Sequence, residues 1–217
     1  MAALAFTAEH SVLMMALGGV WSASLVRTSL FLGVFSAAGV ALGFAAQAGA
    51  ERTDFIVLTL VVLLVVLFLG VTTFVRLVQL QREAVVYIAG QNRIRHFFAE
   101  SAPTIRPYFI LPAHDDQAAM YRSVGTGMNR RPPRYPLLNM IAQTQGIVGV
   151  ITGAVVAAIA GLALSGTNPL ISWLAAAGAL LLTVAVLFAY WQRELAEIQA
   201  AIRPLSSTPA DEMGAPF

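Results

Sequence analysis

Side chains able to do chemistry are few in this 217-residue chain, and most sit in its middle third. His96 and Glu100 stand four apart, so on a helix they share a face and offer a nitrogen and a carboxylate to a metal. A metal site needs a third ligand, and none falls at a matching spacing. His114-Asp115-Asp116 matches a fragment of a metal-dependent hydrolase motif. The same triplet opens a short helical stretch, where an aspartate is well placed to cap free N–H groups. The chain has no Gly-rich phosphate loop, no Ser/His/acid spacing and no Cys, which removes disulfides, thiolate nucleophiles and thiolate-bound metals. No catalytic residue, metal or cofactor is assigned, and the chain reads as a non-enzyme.

Polar groups within the apolar stretches are the second place to look. Asp, Glu and Lys are absent from them, and Arg27 lies at a boundary from which it can reach the headgroups, so proton-coupled transport is disfavoured. Gln47, Gln143 and Gln145, with Thr144 and Thr152, are the candidates for a pore lining. Bonding between helices, or to headgroups, is their other reading.

The elements that carry these residues follow from hydropathy. The chain is 58% hydrophobic and 11% charged, with a mean hydropathy of +0.76, outside the range of ordinary soluble domains. Four apolar stretches can each cross a hydrocarbon core about 30 Å thick: about 28–48, 55–75, 137–164 and 170–191. The predicted fold is therefore an all-α membrane protein of four transmembrane helices. Segment 1–26 reads as an interfacial helix feeding the first span, a slanted extension of that span being nearly as good a reading; 27–54 holds that span and a short external loop. Residues 55–101 are a second span continuing without a break as a cytoplasmic helix. A connection over 102–136 has one short helix at 115–124, capped by Asp115 or Asp116. The hairpin of spans three and four covers 137–192, with Tyr190 and Trp191 as an aromatic belt pair. A polar helix and a disordered tail from Pro204 fill 193–217.

Small residues recur every fourth position in two spans. In the first they fall at Ser29, Gly33, Ala37, Ala41, Ala45 and Gly49, with a second register at Gly39 and Gly43; in the third, at Gly149, Gly153, Ala157, Gly161 and Ser165. Such ladders let backbones approach closely in lipid, where burial from water supplies no drive. They predict that the first span lies inside the bundle and that the Leu- and Val-rich second span faces lipid. Beyond Arg76, Leu77, Leu80, Ala84, Tyr87, Gln91, Ile94 and Phe98 alternate steps of three and four, a seam for a neighbouring helix of this chain or of a copy.

Every basic residue is Arg, which associates the chain with a GC-rich bacterial genome. Arg76, Arg82, Arg93, Arg95, Arg106, Arg122, Arg130, Arg131 and Arg134 all lie between the second and third spans, whereas the short connections on the other side hold only Arg52. By the positive-inside rule this connection and both termini are in the cytoplasm of a bacterial inner membrane. Arg130, Arg131 and Arg134, directly before the third span, suit anionic lipid headgroups rather than nucleic acid. Gln81-Arg82-Glu83 and Gln192-Arg193-Glu194 follow the second and fourth spans at an offset that also lays the first span on the third, the pattern of a duplicated hairpin.

The passage Asn92-Arg93-Ile94-Arg95-His96-Phe97-Phe98-Ala99-Glu100, followed by Pro103, Pro107-Tyr108-Phe109 and Asp115-Asp116, resembles a pattern in an uncharacterised group of bacterial four-span membrane proteins. The resemblance covers the cytoplasmic half and its flanking spans and brings no chemistry with it. From the residues themselves, Arg93 and Arg95 are within reach of Glu100, Asp115 or Asp116 if the connection folds back, with Tyr108 and Phe109 on the Phe97-Phe98 face. This predicts a small cap, built by Arg93, Arg95, Glu100, Tyr108, Asp115 and Asp116, that meets a partner. The function expected is an assembly or interaction module, forming a homo-oligomer or a subunit of a membrane complex through Gly33, Gly39, Gly43, Gly149, Gly153 and Gly161; the alternative is an oligomeric channel or pore-forming effector.

Overall fold

The computed structural model describes residues 2–49, 51–116, 119, 120, 123, 141–166 and 168–208. Among them the regular structure is helical: α1 (Ala2–Gln47), α2 (Arg52–Ser101), a 3₁₀ segment (Pro103–Tyr108), α3 (Thr144–Ala163) and α4 (Pro169–Ala201). All four α-helices are long and apolar enough to cross a membrane. Two compact units divide the chain. A span unit comprises Ser24–Val78 and Met140–Arg193; a stalk unit comprises Met1–Ala23, Gln79–Asn139 and Glu194–Phe217.

α2 has 50 residues, which at about 1.5 Å each is more than twice the thickness of a hydrocarbon core. Its Leu/Val-rich first part belongs to the span unit and its polar second part to the stalk unit. α1 likewise runs unbroken from Ala2, through Gly18-Gly19 and Arg27, to Gln47. The separate interfacial helix expected over 1–26 is thus replaced by an extension of the span. The reason is the seam on α2. Leu17 and Val20 of α1 bury against Leu80, Ala84 and Ile88, and the Phe6 ring lies 4.4 Å from that of Phe97. Leu17 and Val20 are thus taken by protein, whereas Val12, Met14, Met15 and Trp21 stay exposed. Gly90 sits where the two helices are closest in this stretch, since a Cβ on it would lie 3.0 Å from Leu13 Cδ1.

α1 ends where Gly49 takes a positive φ of 71°, the left-handed closing residue that favours glycine. α4 opens with Pro169 at a position that needs no N–H, and Asn168 Oδ1 accepts the Leu170 N–H at 2.9 Å. Ser172 Oγ donates to the Gly161 carbonyl at 2.9 Å and ties the α3–α4 hairpin across its turn. α3 is shorter than expected. It begins at Thr144, because Gln143 is extended at φ −72° and ψ 154°, and its 20 residues are enough for one crossing.

The core of the span unit gathers Phe31 of α1, Val66, Phe74, Leu77 and Val78 of α2, Val148 and Val155 of α3 and Trp191 of α4. Trp191 is 2% exposed and meets Phe188 edge-on at 5.7 Å. It is a core residue, which corrects the belt reading of Tyr190-Trp191. The first span does not take the inside place expected of it: α3 is the most buried span, and α1, like α4, lies open along most of its apolar length. The central helix is built on close approach. A Cβ on Gly153 would fall 2.9 Å from Val184 Cγ2 and 3.1 Å from Leu180 Cδ1, one on Gly149 3.2 Å from Phe74, and one on Gly161 3.6 Å from Ala176.

Candidate functional site: an open helix face and a carboxylate pair

In the span unit, among the described residues, the outer face of α1 has no internal partner, and α4 is likewise open, with Leu174, Leu181 and Leu182 exposed. Cβ atoms built on Gly33, Gly39 and Gly43 would meet nothing within 4 Å. The every-fourth ladder fails to mark the packed side because a helix advances 3.6 residues per turn, so each step of four drifts by about 40°. Phe31, Ala38, Leu42 and Ala45 form the stripe turned to the core. On the opposite side, alternating steps of four and three, lie Ser29, Gly33, Ser36, Val40, Gly43 and Gln47, all exposed. Gly39 lies on the flank of this outer seam. The seam is the 3-4 spacing that a second helix packs into at a shallow crossing angle.

Gln47, Gln143 and Gln145 do not form one lining. Gln47 ends α1 beside the start of α2, whereas Gln143 and Gln145 begin α3, whose Val148 and Gly149 pack near Phe74. Some 20 residues of α2, roughly 30 Å of helix, separate those levels. Thr152 is fully buried, and its hydroxyl donates to its own helix at Val148 O, 2.7 Å away.

The stalk unit contains a different arrangement. The second part of α2 is covered on one side by α1 and on another by the end of α4, where Val85, Ala89 and Met120 are buried with Ile198 and Ile202 packed on them. The two Gln-Arg-Glu exits meet here, as Arg82 pairs with Glu194. Asn92, with no exposed surface, donates from Nδ2 to the His114 carbonyl at 2.9 Å and holds the connection against α2. Arg95 turns to Asn92 Oδ1, 2.7 Å, and to Gln91 Oε1, 3.4 Å, and meets no carboxylate among the described residues, and burial pulls its pKa below the ordinary arginine value. Glu100 pairs with His96 at 3.2 Å on its own helix. Among the described residues no three His, Cys, Asp or Glu side chains are grouped as metal ligands would be.

Arg93 does meet Asp115: Nε donates to Oδ2 at 2.7 Å, while Nη2 donates to the Arg203 carbonyl at 2.8 Å. Asp115 is fully buried and also accepts the N–H groups of Leu205, at 3.0 Å, and Ser206, at 2.9 Å, and the Ser206 hydroxyl. Asp116 is the cap. Its Oδ1 accepts the Ala119 N–H at 2.9 Å, and it also receives the Thr208 N–H and hydroxyl, each at 2.8 Å. Burial pushes both carboxyls up, but these donors outweigh it, and each pKa lies below the usual aspartate value. The tail expected to be disordered from Pro204 is, as far as Thr208, hydrogen-bonded onto this pair. Tyr108 does not join the cap. It is 82% exposed, and Phe6 of α1 occupies the Phe97-Phe98 face instead. Arg130, Arg131 and Arg134 lie outside the described residues, as does part of the short helix expected over 115–124; its backbone is helical at Ala119, Met120 and Ser123.

Three contributors escaped the sequence reading. Asn92 is one, although an amide beside the seam was a usable signal. Gly70 is another, the lone glycine in the second span, and a Cβ there would fall 2.5 Å from Thr152 Oγ1 and 3.2 Å from Phe31. The third is the segment Arg203–Thr208, whose anchoring through backbone N–H groups leaves no mark in residue type.

The fold defines an all-α, multi-pass membrane protein. No family model matches the chain, and no curated protein and no solved structure matches it either.

Proposed function

We propose that the protein is a non-enzymatic interaction module of the bacterial inner membrane that assembles with a second copy of itself through the outer face of α1. One observation carries this reading. Gly149, Gly153 and Gly161 of α3 are spent on contacts within the chain, whereas Gly33, Gly39 and Gly43 of α1 meet nothing within 4 Å. A helix that only faces lipid gains nothing from small residues at a regular spacing; a helix that receives another backbone does. The seam is self-complementary, so two copies related by a two-fold axis bury the same surface on each. In this reading the termini and the long connection are cytoplasmic, as the arginine distribution supports, and Arg130, Arg131 and Arg134 hold anionic headgroups.

The test is native mass spectrometry of the protein in lipid nanodiscs. Wild type is expected as a dimer or a small symmetric oligomer, and Gly33→Leu with Gly43→Leu as a folded monomer, with affinity reduced at least ~10-fold, the equivalent of about 1.4 kcal/mol. Wild-type monomer, or an assembly unchanged in the double variant, counts against the proposal.

A further inference from the structure

We propose that Arg203–Thr208 is a detachable strap, latched by the carboxylates of Asp115 and Asp116, whose release bares those two carboxylates at a cleft in the stalk unit. α4 ends at Ala201, so the strap is irregular chain, bent at Leu205 and Ser206. It has almost no apolar anchor. Leu205 is its one large apolar side chain, and it is 76% exposed. What holds the segment is polar and concentrated on two adjacent side chains. Leu205 N–H, Ser206 N–H and the Ser206 hydroxyl donate to Asp115; Thr208 N–H and its hydroxyl donate to Asp116. Arg93 joins both partners, donating to Asp115 and to the Arg203 carbonyl.

Two consequences follow. Bonds converging on one pair of carboxylates are lost together, so the strap leaves as a unit rather than fraying residue by residue. It also covers the carboxylates. A cleft of about 330 Å³ is lined by Asp115, Asp116 and Met120, by the end of α4 through Ala200 and Ile202 and, from the strap, by Pro204. Asp116 couples strap and cleft, because the carboxylate that holds Thr208 also caps the turn carrying Ala119 and Met120. Strap departure therefore withdraws Pro204 and leaves both carboxylates at the cleft without their strap donors.

Hydrogen exchange of the full chain in nanodiscs, read by mass spectrometry, tests this. The amides of Leu205, Ser206 and Thr208 are expected to be protected in the wild type. Thr208→Glu sets a negative charge against Asp116 and is expected to lower that protection at least ~10-fold, leaving α2 amides unchanged. Asp116→Asn is expected to act in the same direction, and Thr208→Glu keeps the test sound should the capped turn itself unravel in Asp116→Asn. A tail that exchanges freely in the wild type, or protection that survives Thr208→Glu, would overturn the proposal.

Discussion

Gly70→Leu is expected to cost about 3 kcal/mol or more and to disrupt the span unit. Even the first carbon of any side chain at this position would fall 2.5 Å from Thr152 Oγ1, 3.2 Å from Phe31 and 3.3 Å from Thr152 Cγ2. None of these neighbours can move cheaply. Thr152 is β-branched, fully buried and bonded to Val148 O, and Phe31 is 3% exposed in the core. Overpacking of this kind typically costs 1–3 kcal/mol for small insertions, and leucine adds three more carbons. The smaller change Gly70→Ala should cost about 1–2 kcal/mol and be largely rescued by Thr152→Ala, which removes both clashing atoms of that residue. Unfolding in mixed detergent micelles, run as a double-mutant cycle, measures the coupling. Additive costs from the two substitutions would mean that α2 and α3 do not approach each other at Gly70.

Asp115→Ala is the second large effect, expected to destabilise the stalk unit by about 3 kcal/mol. The carboxylate is fully buried, and its removal strands the Arg93 guanidinium, two backbone N–H groups and a hydroxyl. Breaking a buried pair from one side typically costs 3–5 kcal/mol, and the figure is set at the low end because Arg93 is 38% exposed and recovers water. The sign of the pH dependence follows. Both Asp115 and Asp116 have folded pKa values below the unfolded one, so their contribution is fully present above the unfolded carboxyl range, near pH 4, and is lost as pH falls through the lowered values. Arg93 faces Asp115, and His114 beside Asp116 adds to the lowering of its pKa. Circular dichroism melts at about pH 7, 5 and 3 should show little change over the first interval and a fall over the second in the wild type, and a smaller fall in Asp115→Ala. An equal fall in both would remove Asp115 from the account.

How far the sequence discloses this molecule varies with the kind of interaction. Hydropathy locates four spans because an unbroken apolar run of that length has few other uses. The seam from Leu77 to Phe98 is legible because its spacing repeats, and most of its members are buried in the structure. Which small residues pack on what is not legible. Ladders in α1 and α3 have the same composition, and only the positions of Phe74, Leu180 and Val184 decide that one is filled and the other open. Gly70 makes the same point in reverse: a lone glycine with no periodic companion turns out to be the closest approach of all. Trp191 reads as a belt residue from its place after an apolar run, yet Phe188 and its neighbours give it a core site. For the stalk, charge type foretells Arg93 with Asp115, whereas Arg95 turns to amides already adjacent on its own helix. The bonds from Leu205, Ser206 and Thr208 could not be read, since they use backbone N–H groups that every residue but proline carries.

The central claim is that the outer seam of α1 holds a second copy, and disulfide cross-linking in native membranes tests it most directly. The chain has no cysteine, so single replacements at each position from Ser29 to Gly43 can be oxidised without background. The expected result is cross-linked dimer at Ser29, Gly33, Ser36, Val40 and Gly43, with a period near 3.5 residues, and none at Ala38 or Leu42 on the core side. Absence of dimer at every position, or cross-linking with no period, would contradict it.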